Sequence, residues 1–207
     1  MNVHVESNFL LELVFEQEEA AACEDLLTLA EQGALRLVVP LFALIEPQWT
    51  VNRRAGERRD LGRLVEETHQ QLRRNTSLGP ESQRLSGELD ALLTLCEQQE
   101  DVLGRRTRER LLARAAVLSA DARVLREADK FTSTHGLQYL DAIMFASVLQ
   151  DLAGRRADKN CFINKNTKDF AVDSVRQVLT ERSCKFLGSF RHGQAFVRAE
   201  LGRPPTA

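Results

Sequence analysis

Residues 2–15 read NVHVESNFLLELVF. Asn2, Val3, His4 and Val5 form a short β-branched alternating run, which predicts a strand. Glu6, Ser7 and Asn8 interrupt it with polar groups, and Ser7 and Asn8 are residues suited to capping a helix. Phe9, Leu10, Leu13 and Val14 then recur at helical spacing and share one face. Strand, polar turn and helix in immediate succession are the opening unit of an α/β fold, and the flanking sequence continues it. Residues 19–32 (EAAACEDLLTLAEQ) predict a second helix closed by Gly33, in the usual place just past a helix end. LRLVV at 35–39 predicts a buried strand stopped by Pro40, and LFALIEPQWTVNRR starts another helix that Pro47 kinks or restarts.

From Arg58 to about Leu118 the chain becomes charged, leucine-rich and helical. Leu61, Leu64, Val65 and Leu72 make one stripe and Leu85, Leu89, Leu92, Leu93 and Cys96 another, with NTSLGPES at 75–82 as the turn between them. A third helix is expected from Arg105 to Leu118, after Gly104. With no strand expected among them, residues 56–118 read as an antiparallel helical insertion within a single domain spanning 1–207. The stripe over 61–96 suits packing onto the sheet better than a dimer interface, although homodimers are common enough that self-association is expected.

Beyond Ser119, a helix from Asp121 to Phe131 leads to DAIMFASVLQDL, where Leu140, Ile143, Met144, Val148 and Leu152 share a face. CFIN at 161–164 is a compact strand, NTKDF a polar turn, VDSVRQVL a helix, KFLGSF the last strand and RHGQAFVRAEL a terminal helix. Strands alternating with helices on this scale imply a parallel sheet covered on both faces.

Composition narrows the functional classes. Over 207 residues, 43% hydrophobic and 28% charged side chains exclude disorder and collagen-like architectures. No run approaches the roughly 18–20 apolar residues of a membrane span. The start MNVHVESNFLLEL lacks the basic segment and cleavage site of a signal peptide, so a cytoplasmic protein without membrane partners is expected. Cys23, Cys96, Cys161 and Cys184 are scattered, with no histidine at metal-ligand spacing, and read as reduced, mostly buried thiols. The net charge of −2 conceals an asymmetry: residues 1–35 hold eight acids and no Lys or Arg, leaving 28 bases against 22 acids, a net of +6, in the remainder. Of those bases 23 are Arg and five are Lys, which suits bidentate contact with phosphate, although Arg on long helices also pairs with Glu at i,i+4.

In an open parallel sheet the working site lies at the carboxyl ends of the strands. Glu6 follows the strand VHV, Glu46 lies about one turn into the helix after LRLVVP, Asp141 opens the helix DAIMFASVLQDL, and Asp169 lies in the turn after CFIN. Singly, each has a plain structural role as cap, turn residue or solvated side chain. Together in one crevice, the carboxylates would repel one another and rise in pKa unless a cation neutralised them. Oxygen-only ligands select Mg²⁺ or Mn²⁺, and such a cluster suggests metal-assisted phosphodiester hydrolysis, with a basic surface to hold the polyanion.

The segments VHVESNFLLEL, FALIEP, YLDAIMFASVL and FINKNTKDF, in that order, resemble the PIN-domain ribonuclease family. Its pattern is strand–Asp–Thr/Ser–Asn, a helix Glu, a helix-opening Asp followed by Ala, and strand–N/D–x–x–D–F. The resemblance covers residues 1 to about 55 and 120 to about 190. It implies a three-layer α/β/α sandwich with a central parallel sheet, and a Mg²⁺- or Mn²⁺-dependent endoribonuclease. The context would be a toxin held by an antitoxin, or RNA processing or defence. It makes Glu46, Asp141 and Asp169 metal ligands with Glu6 completing the set, Ser7 the hydroxyl beside the site, and Asn8 and Asn166 the groups that orient acids or bind phosphate. Two features depart from the pattern. The first acid is Glu6 rather than Asp, whose extra methylene carries the carboxylate about 1.5 Å farther and favours Mn²⁺ over the geometrically strict Mg²⁺. Glu46 and Asp141 also stand 95 residues apart, so the helices between them are expected over or beside the site. Arg53, Arg54, Arg58 and Arg59 after the Glu46 helix, and Arg155, Arg156, Lys165 and Lys168 around the last motif, are the expected phosphate contacts. The alternative is a catalytically weak or inactive PIN-like module that binds RNA or a regulatory protein. Nothing in four carboxylates recognises a 2′-OH, so RNA and DNA are not distinguished by them.

Overall fold

Val3, Val5, Leu37, Val38, Cys161, Phe162 and Ile163 are fully buried, and they belong to one five-stranded, all-parallel sheet. The computed structural model describes residues 1–155 and 159–202, and Arg156 falls outside them. The strands are β1 (Asn2–Val5), β2 (Arg36–Pro40), β3 (Ala116–Leu118), β4 (Asn160–Ile163) and β5 (Cys184–Leu187), in the spatial order β3-β2-β1-β4-β5. Every residue of β1 and β4 is buried, which requires cover on both faces. In β4 this matches the apolar run Cys161–Ile163, whereas the polar residues of β1 are buried with partners: Asn2 and Asn160 share a 2.8 Å side-chain hydrogen bond at the starting edge, and His4 Nε2 lies 2.9 Å from Asp151 Oδ2.

The helices are α1 (Ser7–Val14), α2 (Ala20–Glu31), α3 (Leu41–Leu72), α4 (Gly79–Arg114), α5 (Ala122–His135), α6 (Tyr139–Ala153), α7 (Thr167–Phe170), α8 (Asp173–Thr180) and α9 (Phe190–Leu201). Among the described residues no helix is long and apolar enough to cross a membrane. The chain moves outward from β1 through β2 to β3, then returns to place β4 on the other side of β1. The strand order therefore reverses between β1 and β4, and outside the carboxyl ends of such a pair an open parallel sheet leaves a crevice. The large core cluster on α5 and α6 (Val124, Ala128, Phe145, Val148, Leu152) joins Phe162 of β4 and Phe170 of α7, so the segment carrying Asp169 is anchored by a buried ring.

Several sequence expectations are corrected. Residues 116–118 are a strand, not the end of a helix: α4 stops at Arg114, and Ala116, Val117 and Leu118 pair with Val38, Val39 and Pro40. The sheet edge, rather than local propensity, decides the conformation of these three residues. Gly104 does not break α4, and α3 runs through Pro47. Pro40 ends β2, as its last residue rather than the one after it. Neither Ser7 nor Asn8 is the cap of α1; Glu6 holds that position without a side-chain capping bond. Asp141 is the third residue of α6 rather than its cap, and NTKDF contains the single turn of α7.

The chain divides into two compact units, Met1–Pro47 with Arg106–Ala207, and Gln48–Arg105. In the second unit the half-buried positions recur every three to four residues, through Val51, Ala55, Arg58, Gly62, Val65 and His69 on α3 and Ser82, Ser86, Leu89, Leu93, Cys96 and Glu100 on α4. The two helical segments face one another through a Arg58–Glu100 ion pair and a 2.9 Å contact between His69 Nδ1 and Ser82 Oγ.

Candidate active site

Glu6 leaves the carboxyl end of β1 directly into α1, which drives a charged side chain to 5% exposure beside the core. Its Oε1 is buried without a hydrogen-bond partner. Burial pushes its carboxyl up to about 7; the Asn8 backbone and side-chain amides oppose that rise, while the charges of Glu46 and Asp141 add to it. Glu46 lies in the second turn of α3, immediately after β2, and its Oε2 accepts the hydroxyl of Ser7. The same hydroxyl lies 3.6 Å from Met144 Sδ on α6, so Ser7 stitches α1 to both neighbouring helices.

Asp141 reaches the same edge because α6 runs back toward the start of β4, which puts the helix's first turn at the strands' carboxyl ends. It is partly buried, and its carboxyl is pushed up to about 6 by burial and then by Glu46 and Asp169. Asp169, on α7, accepts a 2.8 Å hydrogen bond from Asn166 Nδ2. The backbone N–H of Asn166 is in turn held at 2.7 Å by Asn164 Oδ1. Asn164 is 1% exposed and donates its own backbone N–H to Leu187 O at 3.0 Å. It was not among the expected site residues, although a polar residue directly after the apolar run of β4 is the signal that marks it.

The four acids therefore share one electrostatic neighbourhood at the strand-order reversal. Glu46 acts on both Glu6 and Asp141, and Asp169 acts on Asp141. Each polar residue expected beside them serves one acid: Ser7 holds Glu46, Asn8 favours ionised Glu6, and Asn166 orients Asp169. The first turns of α1 and α6 lie at this edge, where the positive ends of the helix dipoles offset part of the repulsion. Among the described residues, no three His, Cys, Asp or Glu side chains are already drawn around one point at metal-ligand spacing. In donor chemistry the set nonetheless fits a hard divalent cation: all oxygen, mutually repelling, and with one buried carboxylate oxygen left unpartnered.

The expected phosphate contacts divide differently. Lys165 Nζ is 2.5 Å from Glu12 Oε1, a carboxylate 1% exposed, so this lysine neutralises a buried acid instead of standing ready for phosphate. Arg58 is likewise occupied by Glu100, and its Nε is buried. Arg53 and Arg59 are exposed beside Glu57 and Glu97, and Arg155 lies 3.5 Å from Asp151. Arg54 is half-buried and Lys168 exposed. Cys23, Cys161 and Cys184 are buried free thiols and Cys96 is half-buried. No protein-family model, no curated protein and no solved structure matches the chain.

Proposed function

We propose that the chain is a metal-dependent endoribonuclease of PIN type, with a three-layer α/β/α sandwich whose carboxylates Glu6, Glu46, Asp141 and Asp169 hold Mg²⁺ or Mn²⁺. The observation that carries this reading is the gathering of these four acids at the strand-order reversal, with Glu6 Oε1 buried and unpartnered. A divalent cation bound there supplies Lewis-acid polarisation of the phosphodiester, activation of water and stabilisation of the leaving 3′ oxygen. The protein's own residues supply position. Ser7 fixes the Glu46 side chain, and Asn164 and Asn166 aim Asp169. Without a cation, Glu6 and Asp141 retain protons on their carboxyl oxygens well above the ordinary range, which lowers the repulsion within the set.

The test is cleavage of end-labelled RNAs and single-stranded DNAs by the purified protein in Mn²⁺, Mg²⁺ or EDTA, beside Asp141→Asn. Cutting in Mn²⁺ or Mg²⁺ that falls about 100-fold or more in the variant, and vanishes in EDTA, is the expected result. Equal inertness of both proteins, with no thermal stabilisation of either by Mn²⁺, would instead favour a non-catalytic binding module.

A further inference from the structure

The helical segments of Gln48–Arg105 bury no hydrophobic side chain. Their mutual seam mixes the half-buried apolar side chains Val51, Val65, Leu89 and Leu93 with small and polar groups: Gly62, Ala55, Ser86, Cys96 and the Arg58–Glu100 pair. A side chain added at Gly62 would meet Leu93 Cδ1 at 3.5 Å, which places these residues at one level of the hairpin. One residue before the seam positions, each helix carries a second apolar stripe. On α3 it comprises Leu61 and Leu64; on α4, Leu85, Leu92, Leu95 and Val102. These six are between 45% and 59% exposed. In two antiparallel helices, positions displaced in the same sense from the seam lie on the same side of the pair, so the two stripes form one face. The opposite face is polar: Arg59, Arg63 and Glu66 of α3 stand across from Asp90, Thr94 and Glu97 of α4. A partly apolar seam with an apolar flank on one side is the pattern of a helix that packs against two neighbours, as in a four-helix bundle.

The spacing of the stripe identifies what covers it. Along α4 the intervals Leu85–Leu92–Leu95–Val102 are seven, three and seven residues, a palindrome centred between Leu93 and Thr94. The Leu61–Leu64 pair of α3 is centred between Gly62 and Arg63. The Gly62–Leu93 approach and the Arg59–Glu97 pair put those two centres at the same height. A two-fold axis through that height maps the face onto itself: Leu85 meets Val102 of the second copy, Leu92 meets its Leu95, and Leu61 meets its Leu64. The same axis sets Glu88 opposite Gln99 and Glu57 opposite Thr68, so no like charges meet along the stripes. Six half-exposed side chains leave roughly 500 Å² of apolar surface per copy, toward the upper end of a monomer's largest patch, which is often functional. Two copies together would bury roughly 1,000 Å², the threshold of a specific interface.

From this self-complementarity we infer that the hairpin of residues 48–105 is a dimerisation element. Its occupant is the same face of a second copy, packed antiparallel about a two-fold axis to complete a four-helix bundle. Sedimentation equilibrium of the full chain over a range of concentrations tests this. The wild type should be a dimer. Leu92→Glu and Leu95→Lys, each replacing an exposed side chain, should separately raise the dissociation constant about 100-fold or more while far-UV circular dichroism reports retained helix. The double variant Leu92→Glu/Leu95→Lys should recover dimerisation, because residue 92 of one copy faces residue 95 of the other. Asp90→Lys, on the polar face, should leave the dimer intact. A monomeric wild type, a dimer indifferent to either single charge, or a double variant no better than the singles would each overturn the inference.

Discussion

The Glu6 carboxyl is raised to about 7 from an ordinary 4.5, first by burial and then by its acidic neighbours. Below 4.5 it is protonated in both the folded and unfolded chains and contributes no pH dependence. Above 4.5 the unfolded chain releases its proton first, so folding becomes less favourable until the folded carboxyl also ionises near 7. The accumulated cost is on the order of 3 kcal/mol. In EDTA, the melting temperature is therefore expected to fall from pH 5 to pH 8. Glu6→Gln should flatten that slope and be the more stable protein at pH 8, and equal slopes for both would contradict the assignment. At this scale the sequence was informative where position alone matters: Glu6, Glu46 and Asp141 follow from the order of strands and helices. It was silent on partners. Nothing in the run FINKNTKDF tells that Lys165 turns away to a buried Glu12 153 residues distant in sequence while Asn164 turns inward.

Three elements meet at Asp151. Its carboxylate accepts bidentate hydrogen bonds from Arg36 at 2.8 and 2.9 Å and one at 2.9 Å from Nε2 of His4, which is fully buried. The group thereby ties α6 to β1 and β2 at the edge away from the acids. Burial alone would raise the Asp151 carboxyl, but the bonds from His4 and Arg36 outweigh it and hold it well below its ordinary 3.8. Its contribution is fully present above that ordinary value and is lost as pH falls through the lower folded value. Asp151→Asn should destabilise the fold by roughly 3 kcal/mol at pH 7, because it leaves Arg36 without its counter-charge. Chemical denaturation at pH 7 and pH 3 checks this: the difference between the proteins should shrink at the lower pH, and a constant difference would assign the loss to packing. Most elements were legible from periodicity, including β1, β4, β5, α2 and α6. The missed strand, β3, has three residues, too few to show a period, and owes its conformation to pairing with β2. The extra length of α4 was hidden by Gly104, a residue that costs a helix only about 1 kcal/mol.

Over the whole molecule, the two units differ in what holds them. The unit containing the sheet has a large buried apolar core, and several acids of the chain's start are bound within that unit: Glu24 and Glu31 bind Arg110, Asp25 binds Arg198, and Glu19 Oε2 accepts the Phe190 N–H at 2.7 Å. Half of the acids at the start of the chain are thus paired within this unit, with Arg110, Arg198 and Lys165, a use that composition could not distinguish from a solvated face. Residues 48–105 have no buried apolar side chain of their own, and exposed ion pairs such as Arg84 with Glu81 and Glu88 contribute little. Helices so supported open readily unless another surface covers them. Amide hydrogen exchange should accordingly separate the units. The amides of β1, β4 and α6 should exchange only through global unfolding, at rates independent of protein concentration. Those of residues 48–105 should exchange far faster in dilute protein and slow as concentration rises, since association stabilises only the covered form. In Leu92→Glu the concentration dependence should disappear while β1 and β4 remain protected. Uniform protection of both units at every concentration would mean that the hairpin is stabilised without a second copy.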